Sequence, residues 1–341
     1  MKKLVEIVLC ILTLVLLINV ISNPQIYIQS VKDALLKCYT TLIPSLMTFM
    51  TISGFMFESG VGDTLTSLFY PLFKKVFHLN RVSAKIFLTS IIGGYPSGSK
   101  LIDNALKNGQ ISIQIANALM CYCINASPSY VIVAIGIGVF KNFSLGLTLY
   151  FSHLFSTIVF AFLFRPKNIE PDVSFSPLSV GSAFIKAVSQ SVSAMLTICG
   201  FFLTLSPIIT LIDLKISHTT LKTALFLAFD TVTAVYHTAT LNGDLAVVLT
   251  ALSISLGGAS ILFQCMGMLE GQKLNFKKII LSRISHSLLT AGVSYFIIRV
   301  RDVNFSTTIE YASLTQHSFL LCVAFVFCCV CFLFCIGRNK Q

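Results

Sequence analysis

The stretch Ser90 to Lys100, read SIIGGYPSGSK, constrains this chain more than any other, because it sets glycines, a proline and serines inside what is otherwise apolar helix. Glycine and proline weaken a helix and free backbone N–H and C=O groups. At membrane depth such groups persist only where protein packs around them or where they line a wet cavity. The stretch reads as a re-entrant turn at a solute site, with a solvent-exposed loop between two helices as the competing reading.

The apolar setting follows from composition. Of the 341 residues 55% are hydrophobic and 11% charged, and the mean hydropathy is +0.86. Soluble domains carry about a quarter charged residues, so the chain reads as an integral membrane protein with no separate soluble domain. The formal charge of +11 does not point to nucleic acid, because Lys and Arg are scattered through short loops. Most cysteines, Cys10, Cys121, Cys123, Cys199, Cys265 and the tail group Cys322, Cys328, Cys329, Cys331 and Cys335, lie in apolar runs and behave as small hydrophobes. No metal and no cofactor is expected.

Along the chain, Leu4 to Ile21 reads as a first spanning helix behind Lys2 and Lys3, and Ala34 to Phe57 as a second, kinked by Pro44. Gly60 to Arg81 suits a helix lying in the membrane interface. The glycine-rich hairpin follows from about Ile86 to Ala105. Ile113 to Val139 is apolar but interrupted by Asn125-Ala126-Ser127-Pro128-Ser129, which suggests a discontinuous transporter helix; a plain proline kink is the alternative. Leu145 to Phe164 spans again, and Arg165 to Ser182 is the longest polar connection.

The second half echoes the first. Thr51-Ile52-Ser53-Gly54-Phe55 is matched by Thr197-Ile198-Cys199-Gly200-Phe201 in a span from Val188 to Ile212, and Ser90-Ile91-Ile92-Gly93-Gly94 by Ile254-Ser255-Leu256-Gly257-Gly258. Each half then reads as span, interfacial helix, Gly-Gly hairpin, span and span, the last two being Ile279 to Ile298 and Phe319 to Ile336. The fold expected is all-α and polytopic, with about seven spanning helices and two re-entrant hairpins in an inverted repeat. Its parts are an N-terminal transmembrane helix (1–33), a first repeat (34–165), a polar connection (166–186) and a second repeat with the C-terminal helix (187–336). Lys and Arg divide almost evenly between the two sides and fix no topology.

With these residues in view the chain resembles the sporulation integral membrane protein YlbJ family, whose halves are nucleoside-recognition (Gate) domains related to concentrative nucleoside transporters. Leu42-Ile43-Pro44-Ser45-Leu46, Gly94-Tyr95-Pro96-Ser97-Gly98-Ser99-Lys100 and Asn125-Ala126-Ser127-Pro128 carry the resemblance in the first half. In the second, Gly257-Gly258-Ala259-Ser260 with Gln264, and Arg283 with His286, do so more weakly. Ile261-Leu262 and Asp230-Thr231-Val232-Thr233 depart from the family pattern. The resemblance implies a role in endospore formation, most simply the movement of dipicolinic acid across a bacterial cell membrane, that of the forespore or mother cell.

The expected site gathers Gly94, Tyr95, Pro96, Ser97, Gly98, Ser99, Lys100, Asn125, Ser127, Pro128, Asp230, Thr231, Gly257, Gly258, Ser260, Gln264, Arg283 and His286. Lys100 beside the N–H groups of the turn would cradle an anion, and Arg283 could grip a carboxylate through two N–H groups; Lys100 could equally be an interfacial anchor. Asp230 in apolar surroundings suits proton coupling or a helix cap. His286 stands one turn after Arg283, and His153 reads as a packed core histidine. No nucleophile elbow, Walker or zinc-protease motif is present, so no enzyme is expected. The partners expected are a small anionic solute and the lipid bilayer. Coupling to protons or sodium, homo-oligomerisation, a nucleoside-like solute and a non-transporting scaffold all stay open.

Overall fold

The computed structural model describes residues 2–172, 176–241, 243–269 and 271–301, and every regular element among them is helical. The expected span Phe319 to Ile336, with its cysteines, lies outside the described residues. Four helical stretches among those described, Pro24–Glu58, Phe143–Leu163, Val180–Lys215 and Gly243–Met268, are long and apolar enough to cross a membrane. Leu17, Ile18, Ile185, Leu196 and Phe296 are exposed, while Asn125, His153, Arg283 and His286 are buried between helices. A lipid solvent selects that inversion of the soluble pattern, and the chain is an all-α polytopic membrane protein.

Helix α1 (Lys2–Ser22) leads into α2 (Pro24–Lys37), which continues through a π-turn, Cys38–Leu42, into α3 (Ile43–Glu58). Pro44 has no N–H to give the carbonyl one turn back and its ring crowds it, so the helix widens just before the proline. Next comes the amphipathic α4 (Val61–Phe77). It is tied to the following helix by Lys85, whose buried ammonium meets Asp63 at 2.8 Å and lies 4.6 Å over the Phe57 ring.

Helices α5 (Arg81–Gly93) and α6 (Ser97–Lys107) then fold back on one another around Gly94, Tyr95 and Pro96. A broken crossing follows: α7 (Ile113–Leu119), a non-helical stretch through Cys123–Ser127, and a π-helical segment, Ser129–Val139. Helix α8 (Phe143–Leu163) closes the first half. The second half opens with α9 (Val180–Lys215), which begins before the expected Val188.

Helices α10 (Thr219–Phe229) and α11 (Thr231–Thr238) also fold back on one another, with Thr223 Oγ1 2.9 Å from His237 Nε2 and the Phe226 and His237 rings 5.0 Å apart. The turn is Asp230, which caps α11 by accepting the Thr233 N–H at 2.8 Å. Helices α12 (Gly243–Leu256) and α13 (Gly258–Met268) part at Gly257: α12 runs along α8, α11 and α14 (Phe276–Arg301), and α13 packs on α6, α9 and α10. The expected hairpin at Gly257-Gly258 is therefore corrected to a break in a crossing, and the second fold-back lies at Asp230. Gly257 and Gly258 turn at φ +80° and +62°, a backbone that glycine adopts at no steric cost whether the chain is reversed or only bent.

The two halves thus hold like parts in like order: a long helix, a fold-back, a broken crossing and a closing helix. Each fold-back tip is pressed onto the break of its own half, and glycine permits the approach. A Cβ on Gly94 would sit 2.8 Å from the Ser127 nitrogen, one on Gly98 would collide with the Cys123 carbonyl, and one on Gly258 would stand 3.1 Å from the Asp230 nitrogen. Gly98→Ala is expected to lower thermal stability by about 1–3 kcal/mol, the usual cost of overpacking. Gly267→Ala, where a Cβ meets nothing within 4 Å, is expected to be neutral or slightly stabilising in the same thermal melt; equal behaviour of the two variants would contradict the tip-on-break packing.

Candidate functional site

Breaking a helix in hydrocarbon leaves main-chain groups that need partners, and here side chains from two other helices supply them. On α14, buried Arg283 donates through one terminal nitrogen to the Ile124 carbonyl at 2.6 Å and through the other to the Ser255 carbonyl. The first carbonyl belongs to the break of the first half and the second to the end of α12. One guanidinium therefore joins both breaks, and its positive charge suits the C-terminal end of α12.

His153 on α8 makes a second link. Its Nε2 accepts the Ala126 N–H at 3.1 Å, which leaves the proton on Nδ1, 2.8 Å from Ser255 Oγ. Ser255 in turn donates to Thr290 Oγ1 at 2.8 Å. A parallel chain runs from Ser90 Oγ to Asn125 Nδ2 (3.2 Å), from Asn125 Oδ1 to Thr157 Oγ1 (2.8 Å), and from Thr157 to His286 Nε2 (3.2 Å). The His153 and His286 rings meet edge to face at 5.1 Å. Arg283, His286 and Asn125 are thus brought together, in contact with main chain and with each other's partners.

A second group surrounds a cavity of about 20 Å³, room for a single water-sized occupant. Tyr95 reaches it from the first fold-back and Asp230 and Thr231 from the second; Tyr130 follows the first break, and Ser260 and Gln264 follow the second. All six are buried. Gln264 Nε2 donates to Ser260 Oγ at 3.2 Å, the Tyr95 and Thr231 hydroxyls meet across the cavity, and Gln264 Oε1 has no hydrogen-bond partner.

The remaining expected residues fall elsewhere. Lys100 is half-buried in a separate niche with Ser53, Ser97, Gln190 and Ser191, between α3, α6 and α9. Ser97 Oγ donates to the Gly94 carbonyl at 2.5 Å, and Ser127 Oγ accepts the Tyr130 N–H at 3.2 Å. Pro96 immediately precedes α6 and Pro128 the π-helical segment; Ser99 and Gly257 are buried within the same packing.

Sequence reasoning missed a vestibule of about 710 Å³ between α2, α9 and the second fold-back, lined by Gln29, Asp33, Lys37, Thr210, Tyr236 and His237 among others. Phe202 lines both the vestibule and the small cavity. The signal for the vestibule was present in α2, where Gln25, Gln29, Asp33 and Lys37 recur at four-residue spacing along one face. Thr157 and Thr290 were also missed, and spacing would have found them, four residues after His153 on α8 and His286 on α14.

Among known proteins the chain is similar to the sporulation integral membrane protein YlbJ of Bacillus subtilis (strain 168), at 26% identity over 147 residues, 43% of this chain and 36% of that protein. The match thus spans about a third of the relative's length, and it bears out the resemblance to the YlbJ family. No family model matches the chain, and no solved structure does.

The two links at the breaks differ in what they can lose. Arg283→Met would leave the Ile124 and Ser255 carbonyls without donors in a dry interior, so a loss of about 3 kcal/mol or more is expected. Arg283→Lys should recover only part of it, because an ammonium lacks the planar fork that reaches two carbonyls. Thermal unfolding of purified protein checks this, and wild-type stability of either variant would contradict it.

Proposed function

As a relative of the sporulation integral membrane protein YlbJ, this chain works in a membrane, and we propose that it carries a small solute across one during endospore formation. The observation that supports this is the succession of a wide vestibule, Phe202, and a small polar cavity where both fold-back tips meet. Volumes of a few hundred Å³ and more are those of small-molecule sites. The inner cavity is far smaller, so a solute reaches it only when the tips separate. Alternate separation towards one face and then the other is the transport cycle, and the two halves form an inverted repeat of Gate-like domains around it.

The first-choice solute is dipicolinate, a flat dianion. Lys37 faces the vestibule, and the charge of Arg283 lies behind Tyr95. Lys100 adds a third cation at the first fold-back. A nucleoside-like solute is the second reading, favoured by one feature: Asp33 and Asp213 share the vestibule with Lys37, and the rest of its polar lining is neutral amide, hydroxyl and imidazole. A scaffold that recruits partners without transport is the competing class.

Uptake of labelled dipicolinate into proteoliposomes tests the proposal. The wild-type chain is expected to accumulate label, while Tyr95→Phe and Gln264→Ala lose about tenfold, the worth of one hydrogen bond to a charged group at ~1.5 kcal/mol. Lys100→Ala is expected to weaken uptake by a similar factor. Uptake indifferent to all three variants keeps transport and rejects this site. No dipicolinate uptake, with nucleoside uptake in the same vesicles, selects the second reading, and neither solute moving in folded protein leaves the scaffold.

A further inference from the structure

Where α4 ends, α8 ends and α14 begins, the chain carries more positive charge than the acids around it answer. Glu58, Asp63, Asp103 and Asp172 are each spent on one cation, Lys186, Lys85, Lys107 and Arg81 respectively. Glu170 accepts the Ser112 N–H at 3.2 Å. Lys75 near the end of α4, Arg165 and Lys167 just after α8, and Lys278 in the first turn of α14 are all exposed. None of these four has an acidic partner among the described residues.

Three contacts bring these cations to one corner. Arg165 donates through a terminal nitrogen to the carbonyl of Val76, the residue after Lys75, at 3.1 Å. His78 Nδ1 stands 2.9 Å from the carbonyl of Pro166, between Arg165 and Lys167. The Lys278 ammonium lies 5.2 Å over the ring of Phe164, the residue before Arg165. Only one guanidinium nitrogen of Arg165 serves the Val76 carbonyl, and a guanidinium has five N–H donors. Next to the cations along the same elements, Leu68 and Leu72 on α4, Leu163 on α8, and Ile280 and Leu281 on α14 are exposed.

We infer that this corner of α4, α8 and α14 binds an anionic phospholipid, with its phosphate between Arg165 and Lys278, and Lys75 and Lys167 at the rim. The unanswered charge calls for an anion, and a planar guanidinium suits the oxygens of a phosphate. Exposed leucine and isoleucine beside the cations call for an anion that carries hydrocarbon, which inorganic phosphate does not. Basic clusters at the ends of membrane helices attract anionic headgroups, each cation being worth about fivefold in affinity. Asp63 on α4 holds Lys85 on α5, so a lipid seated here fastens the first fold-back to α8 and α14. The inference does not rest on the transport reading.

The test uses the purified full chain in an uncharged detergent, titrated with cardiolipin, phosphatidylglycerol, phosphatidylcholine or inorganic phosphate. Thermal melts give the apparent affinity, and native mass spectrometry counts the lipids retained. Cardiolipin and phosphatidylglycerol are expected to raise the melting temperature saturably and to stay bound; phosphatidylcholine and inorganic phosphate are expected to do neither. Lys278→Gln removes an ammonium that makes no hydrogen bond among the described residues, so it should melt like wild type without lipid yet bind cardiolipin about fivefold more weakly. Arg165→Gln should weaken binding by at least as much, measured against its own lipid-free melt. Lys215→Gln, at the far end of α9, should bind as wild type does. Equal stabilisation by phosphatidylcholine would reduce the corner to ordinary lipid contact and overturn the inference. Stabilisation by inorganic phosphate alone would make it an anion site without lipid, and cardiolipin binding unmoved by Lys278→Gln and Arg165→Gln would place the lipid elsewhere; either result rejects the assignment.

Discussion

The guanidinium of Arg283 is the interaction on which the arrangement depends. Two helices are broken inside an apolar layer, and each break leaves a carbonyl that water cannot serve. One side chain on α14 reaches both, at Ile124 and at Ser255. His153 repeats the link from α8, through the Ala126 N–H and the Ser255 hydroxyl. Interrupted backbone survives here because the two interruptions are solved together, so the halves of the chain cannot be displaced at this level without exposing both.

Around that fixed centre the remaining contacts divide by kind. The breaks are held by hydrogen bonds with defined donors and acceptors, and they face the closing helices α8 and α14. The fold-back tips meet through a small polar cavity beside the wide vestibule. Phe202 stands at the junction of the two spaces and α9, the longest of the described helices, carries it. Motion of the tips relative to α9 would open the cavity while Arg283 and His153 kept the breaks in register.

Much of this was legible in the residues. The apolar runs gave the membrane and the helices, and Gly94-Tyr95-Pro96 gave the first fold-back, because glycine and proline act locally. Asn125 to Pro128 showed the first break for the same reason. The second half was harder: Gly257-Gly258 resembles Gly93-Gly94 as letters, and whether a positive-φ glycine turns a chain back or only bends it is decided by what packs beyond it. Asp230 marked the true fold-back only through its capping chemistry. Arg283 was expected to grip a solute carboxylate; that it serves main-chain carbonyls instead could not be read, since those carbonyls lie 159 and 28 residues away in sequence. The vestibule needs α2, α9 and α11 side by side, a long-range fact that one helix face only hints at.

The central claim is that the fold-back tips move against α9 and α2 while the breaks stay joined. Spin labels at Gln29 on α2 and His237 on α11, which both line the vestibule, in a chain freed of its native cysteines, would report the first part through pulsed electron resonance distances. A second pair on α8 and α14, at Phe155 and Leu288, both exposed to the outside, would report the second. The account predicts that the vestibule pair shows two distances whose populations change with dipicolinate, while the α8–α14 pair keeps one. A single unchanging vestibule distance, or movement of both pairs together, would contradict it.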